Sequence, residues 1–127
     1  VDRPLLIGPD VESEQWVADV ARQVDAPFLV LEKTRLGDRD VRIRVPALTT
    51  HADRTPVLVD DIISSARTML TALRGWPAGA RRPVCLGIHA VFAAGAHDEL
   101  AAAAPAAIAT TNTIPHPTNR IDVVPLL

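Results

Sequence analysis

Short, uninterrupted apolar runs, separated by segments of helical period, most constrain what this chain folds into. Leu5-Leu6-Ile7, Phe28-Leu29-Val30-Leu31, Val57-Leu58-Val59 and the stretch Pro83-Val84-Cys85-Leu86-Gly87-Ile88 show little polar alternation. A strand with this character needs cover on both faces, as a parallel sheet provides. Between the runs lie helix patterns. Val17, Val20, Ala21 and Val24 predict one apolar stripe, with Trp16 at its flank. Ala66, Met69, Leu70 and Leu73 repeat at i, i+3, i+4 and i+7, one face of a second helix. An alanine-rich third helix is expected over His97 to Ala104, and further short strands over Ala106 to Thr110 and Ile121 to Val124. Apolar strands alternating with helices imply an α/β fold: three layers, a mainly parallel sheet with helices on both faces.

Asp10 follows the first run across Gly8-Pro9 and is placed to cap the first helix, with Glu12 and Glu14 complementing the dipole of its first turn. Glu32 to Asp40 carries charge, a glycine and no apolar period, so it reads as a loop at a strand exit. Val41, Ile43 and Val45 then alternate with Arg42 and Arg44, the mark of a half-exposed strand. In open parallel sheets ligands bind beyond the carboxyl ends of the strands. Asp10, Lys33, Asp60, His89 and Asn112 all fall there.

A length of 127 residues suits one domain, and 48% hydrophobic content is enough for a core. A net charge of −2 with both signs dispersed points to neither nucleic acid nor membrane, and 3% aromatics leaves no base-stacking platform. Cys85 is a lone cysteine in an apolar run, expected to be a small buried residue in a reducing compartment. His51, His97 and His116 lack metal-ligand spacing, and His89 reads equally as a satisfied strand-end histidine or a ligand. No secretory signal pattern opens the sequence, so the cytoplasm is the expected location. The sequence begins almost directly on a strand, as the middle of a larger protein would.

The most informative stretch is Thr55 to Met69. A buried strand ends on Asp60-Asp61, small hydroxyl residues follow, and a helix begins. Free amides and the positive end of a helix dipole favour a phosphate dianion. Ser64, Ser65 and Thr68 add hydroxyl donors, while Asp60 and Asp61 accept from vicinal sugar hydroxyls. The simpler reading is a capped helix start with two exposed carboxylates.

This stretch resembles the phosphoribosyl diphosphate (PRPP) loop of type I phosphoribosyltransferases and PRPP synthetases, D-D-x-x-x-[ST]-G-x-T, at Asp60, Asp61, Ser65 and Thr68. Ala66 stands where glycine is usual, with Arg67 beside it, and Ser64 stands where many synthetases have aspartate. Alanine tolerates positive φ poorly, so either the turn is right-handed or phosphate cradling is weakened. Further blocks in the same order resemble the ribose-phosphate diphosphokinases: Gly8-Pro9-Asp10, Glu32-Lys33-Thr34-Arg35, His89-Ala90-Val91-Phe92, and Thr111-Asn112-Thr113-Ile114-Pro115. Together they cover essentially the whole chain and resemble the second, C-terminal half of such a protein.

That resemblance implies an enzyme transferring diphosphate from ATP to C1 of ribose 5-phosphate, giving PRPP and AMP. It implies Lys33 and Arg35 as catalytic residues and Asp10 as a Mg2+ ligand. Ribose 5-phosphate would be held by Asp60, Asp61, Ser64, Ser65, Ala66, Arg67 and Thr68. Most ATP contacts, another metal ligand and part of a homo-oligomer interface would come from the N-terminal half. Two other readings stand beside it. One is a non-catalytic regulatory or degenerate subunit that binds a sugar phosphate or a synthetase partner; the other is a phosphoribosyltransferase that consumes PRPP, for whose base-covering hood the chain has little spare length.

Overall fold

The computed structural model describes residues 3–35, 37, 41–45 and 48–126, with the side chains of residues 35, 41 and 42 outside that set. Among the described residues eight strands, β1 Pro4–Gly8, β2 Phe28–Val30, β3 Glu32–Arg35, β4 Val41–Arg44, β5 Thr55–Ile63, β6 Val84–Ala90, β7 Ala107–Thr111 and β8 Asn119–Ile121, accompany three helices. The helices are α1 Glu14–Gln23, α2 Arg67–Arg74 and α3 Ala96–Ala102. Six strands form one sheet in the order β2-β1-β5-β6-β7-β8, and every pairing in it is parallel.

The two faces of this sheet are covered by different helices, as the unbroken apolar runs require. Leu6, Val57 and Val59 meet Val17 and Ala21 of α1 on one face. Leu5, Ile7, Leu58 and Cys85 meet Met69, Leu70 and Leu73 of α2 and Leu100 of α3 on the other. Burying side chains of this size contributes roughly 1.5–3 kcal/mol each. Gly87 lets β6 pass beneath Ile63, whose Cδ1 would lie 2.5 Å from any Cβ there. Cys85 is fully buried, and burial pushes its thiol up to about 12.

Strand order positions the site. From β1 the chain moves outward to β2, then returns to place β5 on the other side of β1. The connections leaving β1 and β5 therefore diverge, and a crevice opens between them at the carboxyl end of the sheet. Asp10 leaves β1 and Asp60 lies near the end of β5, so both border this switch point.

Several expectations need correction. Only Val17 and Ala21 of the α1 stripe are buried; Val20 is 39% and Val24 54% exposed, as α1 lies over β1 and β2 at one edge of the sheet. Glu32–Arg35 is not a loop but β3, paired antiparallel with β4 from Glu32↔Arg44 to Arg35↔Val41. The hairpin is held by backbone bonds and Ile43 rather than by an apolar period, so its charged strand carries no hydrophobic signal. β5 does not end on its acidic pair but runs beyond Asp60 and Asp61 to Ile63. The last strand is Asn119–Ile121 rather than Ile121 to Val124. It is anchored by the Asn119 amide, which donates to Thr110 Oγ1 at 2.9 Å and to the Thr111 carbonyl at 2.8 Å.

Candidate functional site

Just after β1, Asp10 caps the N-terminus of a short 3-10 helix, Val11–Ser13, that leads into α1. Its Oδ1 accepts from the Ser13 amide at 3.0 Å, and the Ser13 hydroxyl donates back to the Asp10 carbonyl. Ser13 is 3% exposed and lies against Gly8, where any side chain would collide with its hydroxyl. The Gly-Pro-Asp turn is thus built to fix Asp10 beside β5.

Burial above all, with the carboxyls of Asp61 and Asp10 acting in the same direction, lifts the Asp60 carboxyl to about 6. The Asp61 amide opposes them by donating to Asp60 Oδ1 at 2.9 Å. Asp61 and Asp10 both therefore lie close enough to act on the Asp60 charge, at the crevice that topology selects. Such crowding is costly without a cation or a hydroxyl-bearing ligand, and perturbed carboxyls of this kind concentrate at functional sites.

After β5 the chain turns through Ser64-Ser65-Ala66 into α2. Ala66 sits in the left-handed region at φ 59°, ψ 14°, the geometry a glycine would adopt freely. The turn is not right-handed; alanine keeps the loop shape at a conformational cost of roughly 1–2 kcal/mol. Ser65 Oγ accepts from the Arg67 amide at 3.3 Å. The Thr68 and Met69 amides have no acceptor among the described residues. With Ala66 as the cap, no side chain takes over these orphan donors.

A cavity of about 110 Å³ opens there, lined by Asp60 and by the segment from Ile62 to Met69. It is too small for a nucleotide and suits a phosphoryl group, the rest of any ligand lying on the open surface toward Asp61. The expected loop residues Ser64, Ser65, Ala66, Arg67 and Thr68 all line it.

The catalytic candidates are not in this cavity. Lys33 is exposed on β3, opposite Ile43, and Arg35 pairs with Val41 through its backbone. His89 is a satisfied strand-end histidine whose Nδ1 lies 2.8 Å from Thr113 Oγ1. Asn112 is also committed: its amide donates to Asp122 at 2.8 Å, and its oxygen accepts from the Val123 amide. The Val124 amide and Asn112 hold Asp122 below its usual carboxylate range. A structural residue that sequence reasoning missed is Arg82, which donates to the Ala104, Ala103 and Leu73 carbonyls at 3.0, 2.7 and 3.4 Å. It joins the carboxyl ends of α2 and α3, where a cation complements both dipoles. Among the described residues no three His, Cys, Asp or Glu side chains converge as a metal cage, and no helix is long and apolar enough to cross a membrane.

Comparison with known proteins agrees with this geometry. A family model described as the phosphoribosyl transferase domain matches residues 2–120. The ribose-phosphate pyrophosphokinase of Sulfurisphaera tokodaii is 34% identical over 128 residues, covering 98% of this chain and 43% of the relative. That of Methanopyrus kandleri is 34% identical over 124 residues, covering 95% of this chain and 42% of the relative. The chain thus spans less than half the length of these curated relatives. Among solved structures, phosphoribosylpyrophosphate synthetase from Mycobacterium smegmatis superposes with a TM-score of 0.75 at 22% identity, over 98% of this chain and 42% of that one. Orotate phosphoribosyltransferase from Aeropyrum pernix gives 0.58 at 18% identity, over 82% of this chain and 59% of that one, the same fold at greater distance. With a parallel sheet, an acidic pair at its switch point and a hydroxyl-rich turn opening α2, the chain belongs to the phosphoribosyl transferase domain family.

Proposed function

We propose that this chain is the ribose 5-phosphate- and PRPP-binding half, the C-terminal one, of a ribose-phosphate diphosphokinase. The observation that carries the reading is the left-handed Ala66 turn, which leaves the Thr68 and Met69 amides facing no protein acceptor beside the cavity bordered by Asp60. In this reading the 5-phosphate sits among Ser64, Ser65, Arg67 and Thr68, with the backbone at Ala66 shaping the cradle. Asp60 and Asp61 accept from the ribose 2- and 3-hydroxyls. The ribose C1 hydroxyl then projects toward the crevice between β1 and β5, where diphosphate from ATP would be received to give PRPP and AMP.

Lys33 and Arg35 belong to the β3–β4 hairpin. They act if the hairpin leans over the crevice, where two cations would stabilise charge on the migrating phosphoryl oxygens. The acidic crowd suits a hard divalent ion only as a partial shell. Asp10 keeps one oxygen without a protein donor among the described residues, and Asp60 stands near it. Mg2+ commonly takes one or two carboxylates and completes its shell with water and substrate phosphate. Asp10 would hold such an ion, which would supply charge neutralisation for the transferred group. The other half of the protein would provide most of the ATP site and part of a homo-oligomer interface, in the cytoplasm. The Ala66 geometry favours a competent loop over a degenerate, non-catalytic one.

Calorimetric titration with ribose 5-phosphate and with inorganic phosphate tests the binding assignment. Thr68→Val removes a charge-assisted hydrogen bond of roughly 1.5–3 kcal/mol, so ribose 5-phosphate affinity falls roughly ten- to a hundredfold. Arg67→Gly weakens both ligands. Asp60→Asn weakens ribose 5-phosphate and spares phosphate. Unchanged affinity in all three variants would return the loop to a capped helix start.

A further inference from the structure

A larger cavity, of about 530 Å³, lies at the opposite end of the sheet, where β5 begins rather than where it ends. Arg44, His51, Arg54 and Arg81 line it, and no described residue in its wall is acidic. Two of the guanidinium groups are anchored at one corner only. Arg54 Nη1 donates to the Pro4 carbonyl at 3.3 Å, and Arg81 Nη1 donates to Thr55 Oγ1 at 3.1 Å. The remaining donors of both forks have no protein acceptor among the described residues. Arg44 has only Glu32, at 3.9 Å, and the nearby Asp53 is paired with Arg3 at 2.6 Å. Val45, Leu48 and Pro56 supply an apolar wall, the first two packed against the core below.

A concave site walled by one sign of charge concentrates anions, and anchored guanidinium forks bind phosphate in bidentate fashion. A cavity of this size exceeds an inorganic phosphate and falls in the range for small organic ligands. We propose that it is a second ligand site, separate from the Asp60 crevice, that takes a phosphomonoester with an apolar body. The phosphate meets Arg44, Arg54 and Arg81, and the apolar body lies on Val45, Leu48 and Pro56.

Phenyl phosphate is the probe, titrated into the chain by calorimetry beside inorganic phosphate. Burial of the ring makes phenyl phosphate about tenfold the tighter ligand or better. Saturating ribose 5-phosphate leaves that binding in place, as does Thr68→Val, which separates this site from the sugar-phosphate site. Arg81→Gln and Arg44→Gln each weaken phenyl phosphate about tenfold. The Arg44 side chain makes no hydrogen bond to a described residue, so its variant decides the matter if loss of the Thr55 contact unsettles Arg81→Gln. The proposal is overturned if phenyl phosphate binds no tighter than phosphate, if ribose 5-phosphate displaces it, or if Arg44→Gln leaves its affinity unchanged.

Discussion

Ala66 and Ala104 hold almost the same left-handed backbone, at φ 59° and φ 58°, in opposite surroundings. Ala66 is 5% exposed and belongs to the core under α2 and α3, whereas Ala104 lies on the surface after α3. Glycine relieves the left-handed strain at either position, by roughly 1–2 kcal/mol. It also gives the unfolded chain extra freedom, costing about 0.4–1 kcal/mol. These terms are common to both sites, and they leave Ala104→Gly more stable by about 0.8 kcal/mol. At Ala66 the lost burial of one methyl removes about 0.8 kcal/mol more, so Ala66→Gly is close to neutral. Urea unfolding of the two variants beside the parent, with unchanged m values, measures the difference. Because Ala66 already has the shape of a glycine turn, Ala66→Gly also leaves ribose 5-phosphate affinity unchanged. Stabilisation by Ala66→Gly as large as that by Ala104→Gly would show that the methyl is not packed as described. A large gain in ligand affinity would show that the parent loop is not preformed.

Asp60 makes stability depend on pH with an unusual sign. Its folded carboxyl holds a proton up to about pH 6, against an ordinary value of 3.8, so the unfolded chain binds fewer protons between those values. Stability therefore falls as pH rises through that window, by roughly 1 kcal/mol once solvent screening of a half-exposed group is allowed for, and Asp60→Asn removes the fall. Denaturation midpoints between pH 4 and pH 7 show it; a midpoint that rises through the window in the parent alone would contradict it. Arg82→Ala strips the Ala103 and Ala104 carbonyls of their donor, while the Leu73 carbonyl keeps the Trp76 amide, and it should cost about 2 kcal/mol in urea unfolding, with Arg82→Lys restoring only part because it lacks the planar fork. A loss of under about 0.5 kcal/mol would mean that the two helix ends are held by other contacts.

The parallel sheet was legible because its strands are buried on both faces, so each appears as an apolar run. The acidic pair and the hydroxyl turn were legible because a run of small polar residues between an apolar run and a helical stripe marks a strand-to-helix turn directly. What escaped notice lacks a hydrophobic signature. The β3 strand of Glu32, Lys33, Thr34 and Arg35 owes its form to backbone pairing with β4, and its one anchor, Ile43, lies on the partner strand. The β8 strand is ordered by Asn119, a side chain whose three acceptors lie on and beyond β7 and are invisible to periodicity. Val20 and Val24 continue the helical stripe in sequence, yet α1 sits at the β2–β1 edge of the sheet and leaves them exposed. The left-handed state of Ala66 was also out of reach, since alanine at that position argued equally for a different turn.

The central claim is that the start of α2 and the end of β5 together seat a pentose phosphate. The most direct test follows the backbone amides of residues 64–69 and the carboxyls of Asp60 and Asp61 by NMR during titration with ribose 5-phosphate. The Thr68 and Met69 amides should move downfield as they gain an acceptor, and the Asp60 and Asp61 carboxyls should respond with the same saturation curve. Inorganic phosphate should move the amides and leave the carboxyls nearly still. Saturable binding of ribose 5-phosphate with the residue 67–69 amides unmoved, or no binding at all, would contradict the account.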